Sequence, residues 1–143
     1  MTGRTTDARP PMDPAESIRR FLVSPSFAVV GASNRMHKFG ARVFGAYLAH
    51  GRRAFPVNPN EATVQGRPCF ATLAQLPEPV EAVSVITPPD VTERIVEEAA
   101  AAGAKRIWMQ PGAESRRAVA RARELGLEVI ANGPCVLVEL GAE

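Results

Sequence analysis

Residues 27–51 read FAVVGASNRMHKFGARVFGAYLAHG, and this stretch decides the fold. Its first four residues are apolar and run directly into Gly31, as expected for a strand buried on both faces of a parallel sheet. The small residues 31–34 predict a tight turn. From about Lys38 the apolar residues recur at helical spacing, and Gly51 stands where a helix would end. A strand, a small-residue turn and a helix in this order are typical of a nucleotide-binding βαβ unit.

The turn between this strand and this helix favours phosphate as a ligand. The start of a helix offers unpaired N–H groups and partial positive charge. Gly31 has no side chain that would keep a phosphate away from the backbone. Gly31 and Gly40 do not form a G-x-G-x-x-G pattern, however, so a sharp turn without a ligand stays open as the alternative.

Length and composition predict one domain with its own core. The chain has 143 residues, 45% of them hydrophobic, and a formal net charge of +2, which argues against a general nucleic-acid binder. No apolar run approaches the roughly 20 residues that span a membrane, and no signal region is visible, so we expect a cytoplasmic protein without membrane partners. Cys69 and Cys135 lie far apart, which predicts two free thiols.

The rest of the chain alternates between strand and helix patterns. Residues 1–13 predict a disordered tail, followed by one domain over 14–143. A first helix is expected from Pro14, with Asp13 as its N-cap. Further strands are predicted at 53–57, 80–87, 105–110 and 127–131. One helix is expected to begin with Asp90 as its cap and Glu93 as the second residue of a capping box, and another helix is expected to start near Glu114.

Two segments lack a clear pattern. Residues 61–70 are expected to be irregular, and 135–140 to form an edge strand or coil. Pro56 within the second strand indicates incomplete pairing on one side. The alternation as a whole predicts an α/β fold, an open and mostly parallel sheet with helices on both faces, in a strand order 3-2-1-4-5.

Ligands of such sheets bind outside the carboxyl ends of the strands. These ends are expected at 31–38, 58–60, 87–89 and 110–112, where turn residues and small polar groups cluster. Positive charge for a phosphate is available in the first loop and near the second strand, at Arg35, Lys38, Arg42, Arg52 and Arg53. NAD-binding proteins usually carry Asp or Glu at the end of the second strand, and Asn58 at this place disfavours NAD.

Residues suited to catalysis are few. His37 lies in the first loop and His50 at a helix end, and neither belongs to a Ser-His-Asp, paired-carboxylate or metal-ligand pattern. Cys135 is the one candidate nucleophile, without a histidine near it in sequence. Trp108 and Met109 are expected in the core. We therefore predict no catalytic residue and no metal site.

An ordered set of short segments resembles the small stand-alone CoA-binding proteins, which are similar to the N-terminal CoA-binding domain of the succinyl-CoA synthetase alpha subunit. The segments are GAS at 31–33, PVNP at 56–59, VITPP at 85–89, IVEEAAAAGAK at 95–105 and IWMQPG at 107–112. The resemblance covers about residues 18–139 and implies a Rossmann-like domain that binds coenzyme A or an acyl-CoA. The chain departs from the family at Asn60 and Glu61, where the synthetase domain has a lysine nearby, and at Gly40, where many relatives have a serine.

The resemblance also implies where the cofactor lies. The phosphates would lie against residues 31–36, the PVNP turn beside the adenosine, and residues 87–89 as a further wall. The expected cofactor-binding residues are Gly31, Ala32, Ser33, Asn34, Arg35, Met36, Lys38, Arg42, Asn58, Pro59, Thr87, Pro88 and Pro89.

The expected function is non-catalytic binding, because the synthetase's phosphohistidine belongs to a second domain. Two alternatives stay open. One is an NAD(P)-dependent enzyme or sensor, and the other is a ligand-sensing regulatory or scaffold subunit of a larger complex.

Overall fold

The structure is a computed structural model and describes residues 13–141. The predicted tail lies outside the described residues, apart from Asp13. The Asp13 carboxylate accepts a hydrogen bond from the Ala15 N–H at 3.4 Å, which confirms it as the N-cap of the first helix.

Within residues 13–141, five α-helices and seven strands follow one another. The helices are α1 (Pro14–Leu22), α2 (Phe39–Ala49), α3 (Pro89–Ala101), α4 (Arg116–Glu124) and α5 (Val136–Gly141). The strands are β1 (Phe27–Val30), β2 (Ala54–Val57), β3 (Thr63–Val64), β4 (Arg67–Pro68), β5 (Ala82–Val85), β6 (Arg106–Met109) and β7 (Glu128–Ile130). A short 3-10 helix covers Leu73–Gln75.

Five of the strands form one parallel sheet in the order β2-β1-β5-β6-β7. Counted along the chain this order is 2-1-3-4-5, so the expected order 3-2-1-4-5 is wrong. The outer edge of β2 explains the difference. Pro56 has no N–H to donate there, and its carbonyl accepts from the Phe70 N–H at 3.1 Å, while the Asn58 N–H donates back to Phe70. Phe70 thus covers this edge, and β5 pairs with the other side of β1.

Helices cover both faces of the sheet, which confirms the predicted α/β architecture. Helices α1, α2 and α5 pack on the face that carries Phe27, Val29 and Trp108. Helices α3 and α4 pack on the opposite face, which carries Val83 and Ile107. Successive residues of the central strands β1 and β5 are all buried, on alternate faces, as two-sided coverage requires.

The segment over 61–70 is ordered rather than irregular. Strands β3 and β4 form a two-stranded antiparallel hairpin, with Thr63 opposite Pro68 and Val64 opposite Arg67. Val64 is fully buried in the core beneath α2, whereas Arg67 and Pro68 are exposed.

The segment after β7 is a helix rather than an edge strand or coil. Two side chains of the β6 region fix its start. The Trp108 indole N–H donates to the Pro134 carbonyl at 3.0 Å, and the Gln110 side-chain oxygen accepts from the Val136 N–H at 2.9 Å. Val136 and Leu140, four residues apart, then reach the core on the same side of α5.

Helix α3 starts earlier than expected. Its N-cap is Pro88 without a side-chain capping bond, so the predicted capping by Asp90 and Glu93 is wrong. Pro89 supplies the first helical residue, a position where the missing N–H costs nothing. Asp90 stands in the first turn instead, where its charge complements the helix dipole.

Among the described residues, no helix has both the length and the apolar character needed to cross a lipid bilayer.

Candidate functional site

Two glycines bring the start of α2 against the carboxyl ends of the central strands. Gly31 follows β1 with a φ of +97°, and a Cβ built on it would lie 2.0 Å from the Ile86 carbonyl oxygen, just after β5. A Cβ on Gly40, in the first turn of α2, would lie 2.0 Å from the Gly31 carbonyl oxygen. Neither position accepts a side chain unless the backbone moves. Gly40 thus allows the close packing of α2 against the end of β1.

The start of α2 carries no cap of its own. Its N-cap residue, Lys38, makes no side-chain capping bond, and the first turn contains no acidic residue. The N–H groups of Phe39 and Gly40 find no acceptor among the described residues. Such free N–H groups carry partial positive charge and suit a phosphate.

Three exposed cations surround this helix start. Arg35, Lys38 and Arg42 are exposed, and none of them pairs with a carboxylate of the described residues. The Arg42 guanidinium lies over the Phe39 ring, 5.7 Å from its centroid. Met36 lies in the same loop with 58% of its surface exposed. The loop from Arg35 to Arg42 is therefore a positive surface that attracts anions.

Gln65, a residue that sequence reasoning missed, holds this loop from outside. Its side-chain amide nitrogen donates to the carbonyls of Ser33 at 3.3 Å and Ala41 at 2.9 Å. Its backbone N–H donates to the Asn34 side-chain oxygen at 2.8 Å. Gln65 and Gly66 have φ values of +50° and +80°, as in a tight turn of the mirror-image type. The sequence signal for this turn was Gln65 followed by Gly66 between two short extended segments, a pattern that is typical of a hairpin.

Both polar atoms of the Asn34 side chain form hydrogen bonds with the hairpin. Its Nδ2 donates to the Glu61 carboxylate at 3.1 Å and to the Thr63 carbonyl at 2.8 Å. The Ser33 hydroxyl accepts from the Arg35 N–H at 3.0 Å and keeps its own hydrogen for a further acceptor. A ligand can therefore be reached by the Ser33 hydroxyl, whereas the Asn34 side chain shapes the loop.

Asn58 connects the end of β2 to the same loop. Its Nδ2 donates to the Ala32 carbonyl at 2.8 Å, and its Oδ1 accepts from the Asn60 N–H at 2.8 Å. Pro59, beside it, is exposed. The Cys69 thiol lies 3.6 Å from the Asn58 carbonyl, and burial raises the pKa of this thiol, which disfavours the nucleophilic thiolate.

Residues 87–89 follow β5 at the same edge of the sheet. The hydroxyls of Thr87 and Thr92 are 2.7 Å apart, and Thr92 is fully buried. This bond fixes the turn, so that Pro88 and Pro89 project outward as an exposed apolar surface. Of the expected residues, the structure thus brings together those of the loops after β1, β2 and β5.

The last two strand ends are tied to each other. The Glu114 carboxylate accepts from the N–H groups of Gly112 at 2.7 Å and Asn132 at 3.2 Å. Gln110 is fully buried, and its Nε2 has no partner among the described residues. Residues 110–112 therefore stand at the predicted edge, where they are bound by Glu114 and by the start of α5 rather than by the first loop.

The remaining candidates belong to different elements of the fold. His50 Nδ1 lies 2.9 Å from the Ala46 carbonyl at the end of α2. Cys135 is half-buried before α5, and His37 is exposed in the first loop. Within residues 13–141, no three His, Cys, Asp or Glu side chains group as metal ligands.

Comparison with protein families identifies this arrangement. A model of the CoA-binding domain matches residues 25–141, which include every strand of the sheet. The chain belongs to the CoA-binding domain family. The resemblance found in the sequence is thereby confirmed, and so is the Rossmann-like fold.

Solved structures similar to this CoA-binding domain are of two kinds. A hypothetical protein from Pyrococcus horikoshii OT3 is 30% identical, with 99% of this chain and 97% of that chain covered and a TM-score of 0.85. A protein from Thermus thermophilus, cell-free ID.343, is 26% identical over 92% of this chain and 98% of that chain, with a TM-score of 0.83. Both have nearly the same extent as this domain.

A much longer chain contains the same fold as a part. The dinucleotide-forming acetyl-coenzyme A synthetase 1 of Ca. Korarchaeum cryptofilum, in complex with phosphate and ADP, is 25% identical. The match covers 75% of this chain but 25% of the synthetase, with a TM-score of 0.68. The domain therefore corresponds to one part of a larger protein in that case.

Proposed function

We propose that this domain binds coenzyme A or an acyl-CoA at the carboxyl edge of its sheet and does not itself catalyse a reaction. The observation that carries the proposal is the uncapped start of α2, packed through Gly31 and Gly40 against the central strands and surrounded by three exposed cations. CoA carries a pyrophosphate and a further phosphate. Free N–H groups, positive side chains and a backbone that can be approached closely are what such groups need.

The proposal gives each part of the edge a role. The N–H groups of Phe39 and Gly40 and the Ser33 hydroxyl would donate to phosphate oxygens. Lys38 and Arg35 would neutralise charge. The exposed residues Pro59, Pro88 and Pro89 would enclose the adenosine, whereas Ala32, Asn34, Asn58 and Thr87 would shape the loops that do so.

Asn58 supports CoA over the NAD alternative. An NAD site needs an acceptor for the ribose hydroxyls at this position. Both functional atoms of the Asn58 side chain already have partners within the protein, and Glu61, the next acid along the chain, accepts from Asn34. A dinucleotide would therefore lack its usual acceptor.

Isothermal titration of the purified protein with CoA, acetyl-CoA, NAD and ATP tests the proposal. We expect saturable binding of CoA, much tighter than that of NAD or ATP. Comparable affinity for all four ligands, or none for CoA, would overturn it. Tighter binding of acetyl-CoA than of CoA would identify the acyl form as the ligand.

A matched pair of lysine variants locates the site. Lys38→Ala should weaken CoA binding about three- to tenfold and make it less sensitive to salt, because a charge near the phosphates is lost. Lys105→Ala removes the same charge at the opposite edge of the sheet, where Lys105 pairs with Glu81 at 3.6 Å, and should leave the affinity unchanged. Equal effects of both substitutions would indicate a net-charge effect without a site at α2.

Turnover is tested separately from binding. We expect no release of free thiol when the purified protein is incubated with acetyl-CoA, because the sequence predicts no catalytic residue and burial raises the pKa of the Cys69 thiol. Thiol release that requires this protein and that Cys135→Ser abolishes would contradict the non-catalytic part of the proposal and leave the binding part intact.

A further inference from the structure

Gln65 bridges the two ends of the loop that would hold the phosphates. One amide nitrogen donates both to the Ser33 carbonyl at the beginning of the loop and to the Ala41 carbonyl in the first turn of α2. These two acceptors are eight residues apart in sequence and are reached from a hairpin more than twenty residues further on. The side chain thus closes the segment 33–41 into a ring.

A second connection runs beside the first. The Gln65 N–H donates to Asn34 Oδ1, and Asn34 Nδ2 donates to the Thr63 carbonyl in the neighbouring strand. Asn34 and Gln65 therefore fix both the position of the loop and its orientation relative to the hairpin.

The residues around Gln65 leave room for its side chain and fix its position. A Cβ on Gly45, one turn further along α2, would lie 3.2 Å from Gln65 Oε1, so a side chain there would press on the amide. Val64, next to Gln65, is fully buried and anchors the hairpin in the core. Gln65 itself has a φ of +50°, an uncommon conformation for a residue other than glycine or asparagine.

We propose that Gln65 is a positioning residue for CoA binding, which holds the loop 33–41 in the conformation that presents the free N–H groups of Phe39 and Gly40. This inference rests on the proposed function. Because the first loop contributes donors from its backbone, its affinity for a phosphate depends on how far the loop is already ordered before the ligand arrives. Gln65 contacts the loop on its carbonyl side and leaves these N–H groups free.

Two neutral substitutions separate positioning from stability. Gln65→Met keeps the length of the side chain and removes both hydrogen bonds. Gln65→Asn keeps the amide and suits the left-handed turn better, but is one methylene too short to bridge Ser33 and Ala41. Gln75→Met is the matched control, because Gln75 is exposed and its side chain only accepts a bond from the Ala71 N–H.

We expect both Gln65 variants to bind CoA about three- to tenfold more weakly, an effect of the size of one ordinary hydrogen bond. Gln65→Asn should do so at an unchanged melting temperature, and Gln75→Met should bind like the original protein. Wild-type affinity in both Gln65 variants would overturn the inference, and so would a loss of affinity that follows the melting temperature. If Gln65→Met does not fold, Gln65→Asn alone decides.

Amide hydrogen exchange distinguishes this inference from the proposed function. In the free protein, the N–H groups of residues 34–41 should exchange faster in Gln65→Asn than in the original chain, whether or not CoA binds. Faster exchange together with absent CoA binding in the original protein would refute the proposed function, and the ligand role of Gln65 with it. Unchanged exchange would refute the positioning role itself.

Discussion

Helices α2 and α4 both start at the carboxyl edge of the sheet, yet the two starts are built differently. The Ser115 hydroxyl caps α4 by accepting from the Ala118 N–H at 2.9 Å, and it also donates to Glu93. Lys38 precedes α2 and caps nothing. The protein thus satisfies one helix start internally and leaves the other open beside Gly31 and Gly40.

Of the other helices of residues 13–141, α1 and α5 have a side-chain acceptor at their start, as α4 does, whereas α3, like α2, has no side-chain cap. Asp13 caps α1, Gln110 supplies an acceptor for α5, and α3 begins with Pro89 and carries Asp90 in its first turn. An unmet N–H group at a helix end costs stability unless water or a ligand accepts from it. The start of α2, which has neither a side-chain cap nor an acidic residue in its first turn, supports the proposal that an anion binds there.

The largest effect is expected where the backbone of the open start is packed most closely. Gly31→Ala should destabilise the fold by more than about 3 kcal/mol, because the new Cβ would meet the Ile86 carbonyl at 2.0 Å and the φ is positive. Thermal denaturation measures this change.

Gly112→Ala is the control for the backbone conformation alone. Gly112 has a φ of +93°, but nothing lies within 4 Å of a Cβ there, so the cost should be about 1–2 kcal/mol. Similar losses in both variants would mean that the close approach to β5 has no energetic importance.

Adding a side-chain cap to α2, like the cap of α4, should change stability and CoA binding in opposite directions. Lys38→Asp supplies a capping side chain and should stabilise the protein by about 1 kcal/mol. It also places a negative charge where the phosphates would lie, so CoA binding should fall by tenfold or more. A variant that is more stable and still binds CoA as before would show that the open start is not the phosphate site.

Removing the cap of α4 is the reverse experiment. Ser115→Ala should cost about 1 kcal/mol of stability, because the Ala118 N–H loses its acceptor. CoA affinity should not change, since α4 lies across the sheet from α2. A loss of CoA affinity in this variant would place part of the ligand near α4.

The smallest effect concerns an ion-pair cluster away from both helix starts. The Glu128 carboxylate lies 2.8 Å from Arg20 and 3.2 Å from Arg106, and the hydrogen bond with Arg20 is the main reason that its pKa is lowered. A lowered pKa in the folded state means that the stabilisation is present above the unfolded value, near 4.5, and is lost as the pH falls through the folded value.

Glu128→Gln should therefore cost less than about 1 kcal/mol at neutral pH and make the melting temperature less dependent on pH below about 5. CoA affinity at neutral pH should stay the same. An unchanged pH dependence of melting would mean that the pair contributes nothing to acid stability.

The βαβ unit could be predicted from the sequence because the relevant signals are local. The apolar run before Gly31 and the helical spacing after Lys38 predict strand and helix without knowledge of any partner. The strand order could not be obtained in this way, since it depends on Phe70 covering the outer edge of β2, a contact between segments with no shared pattern.

Other features were missed for the same reason. Helix α5 owes its start to Trp108 and Gln110, which lie more than twenty residues earlier in the chain. Gln65 reads as an ordinary polar residue in a Gly- and Pro-containing segment, and only the fold brings its amide to Ser33 and Ala41. The open start of α2 could not be predicted either, because it depends on the absence of an acceptor for the N–H groups of Phe39 and Gly40 within residues 13–141 of the folded protein.

Backbone amide chemical shifts of the labelled protein during titration with CoA test the central claim most directly. We predict that the largest changes fall on the N–H signals of Phe39 and Gly40 and on the loop from Gly31, whereas the Ala118 N–H signal at the capped start of α4 stays in place. Changes confined to the α4 region, or saturable binding that leaves Phe39 and Gly40 unperturbed, would contradict it.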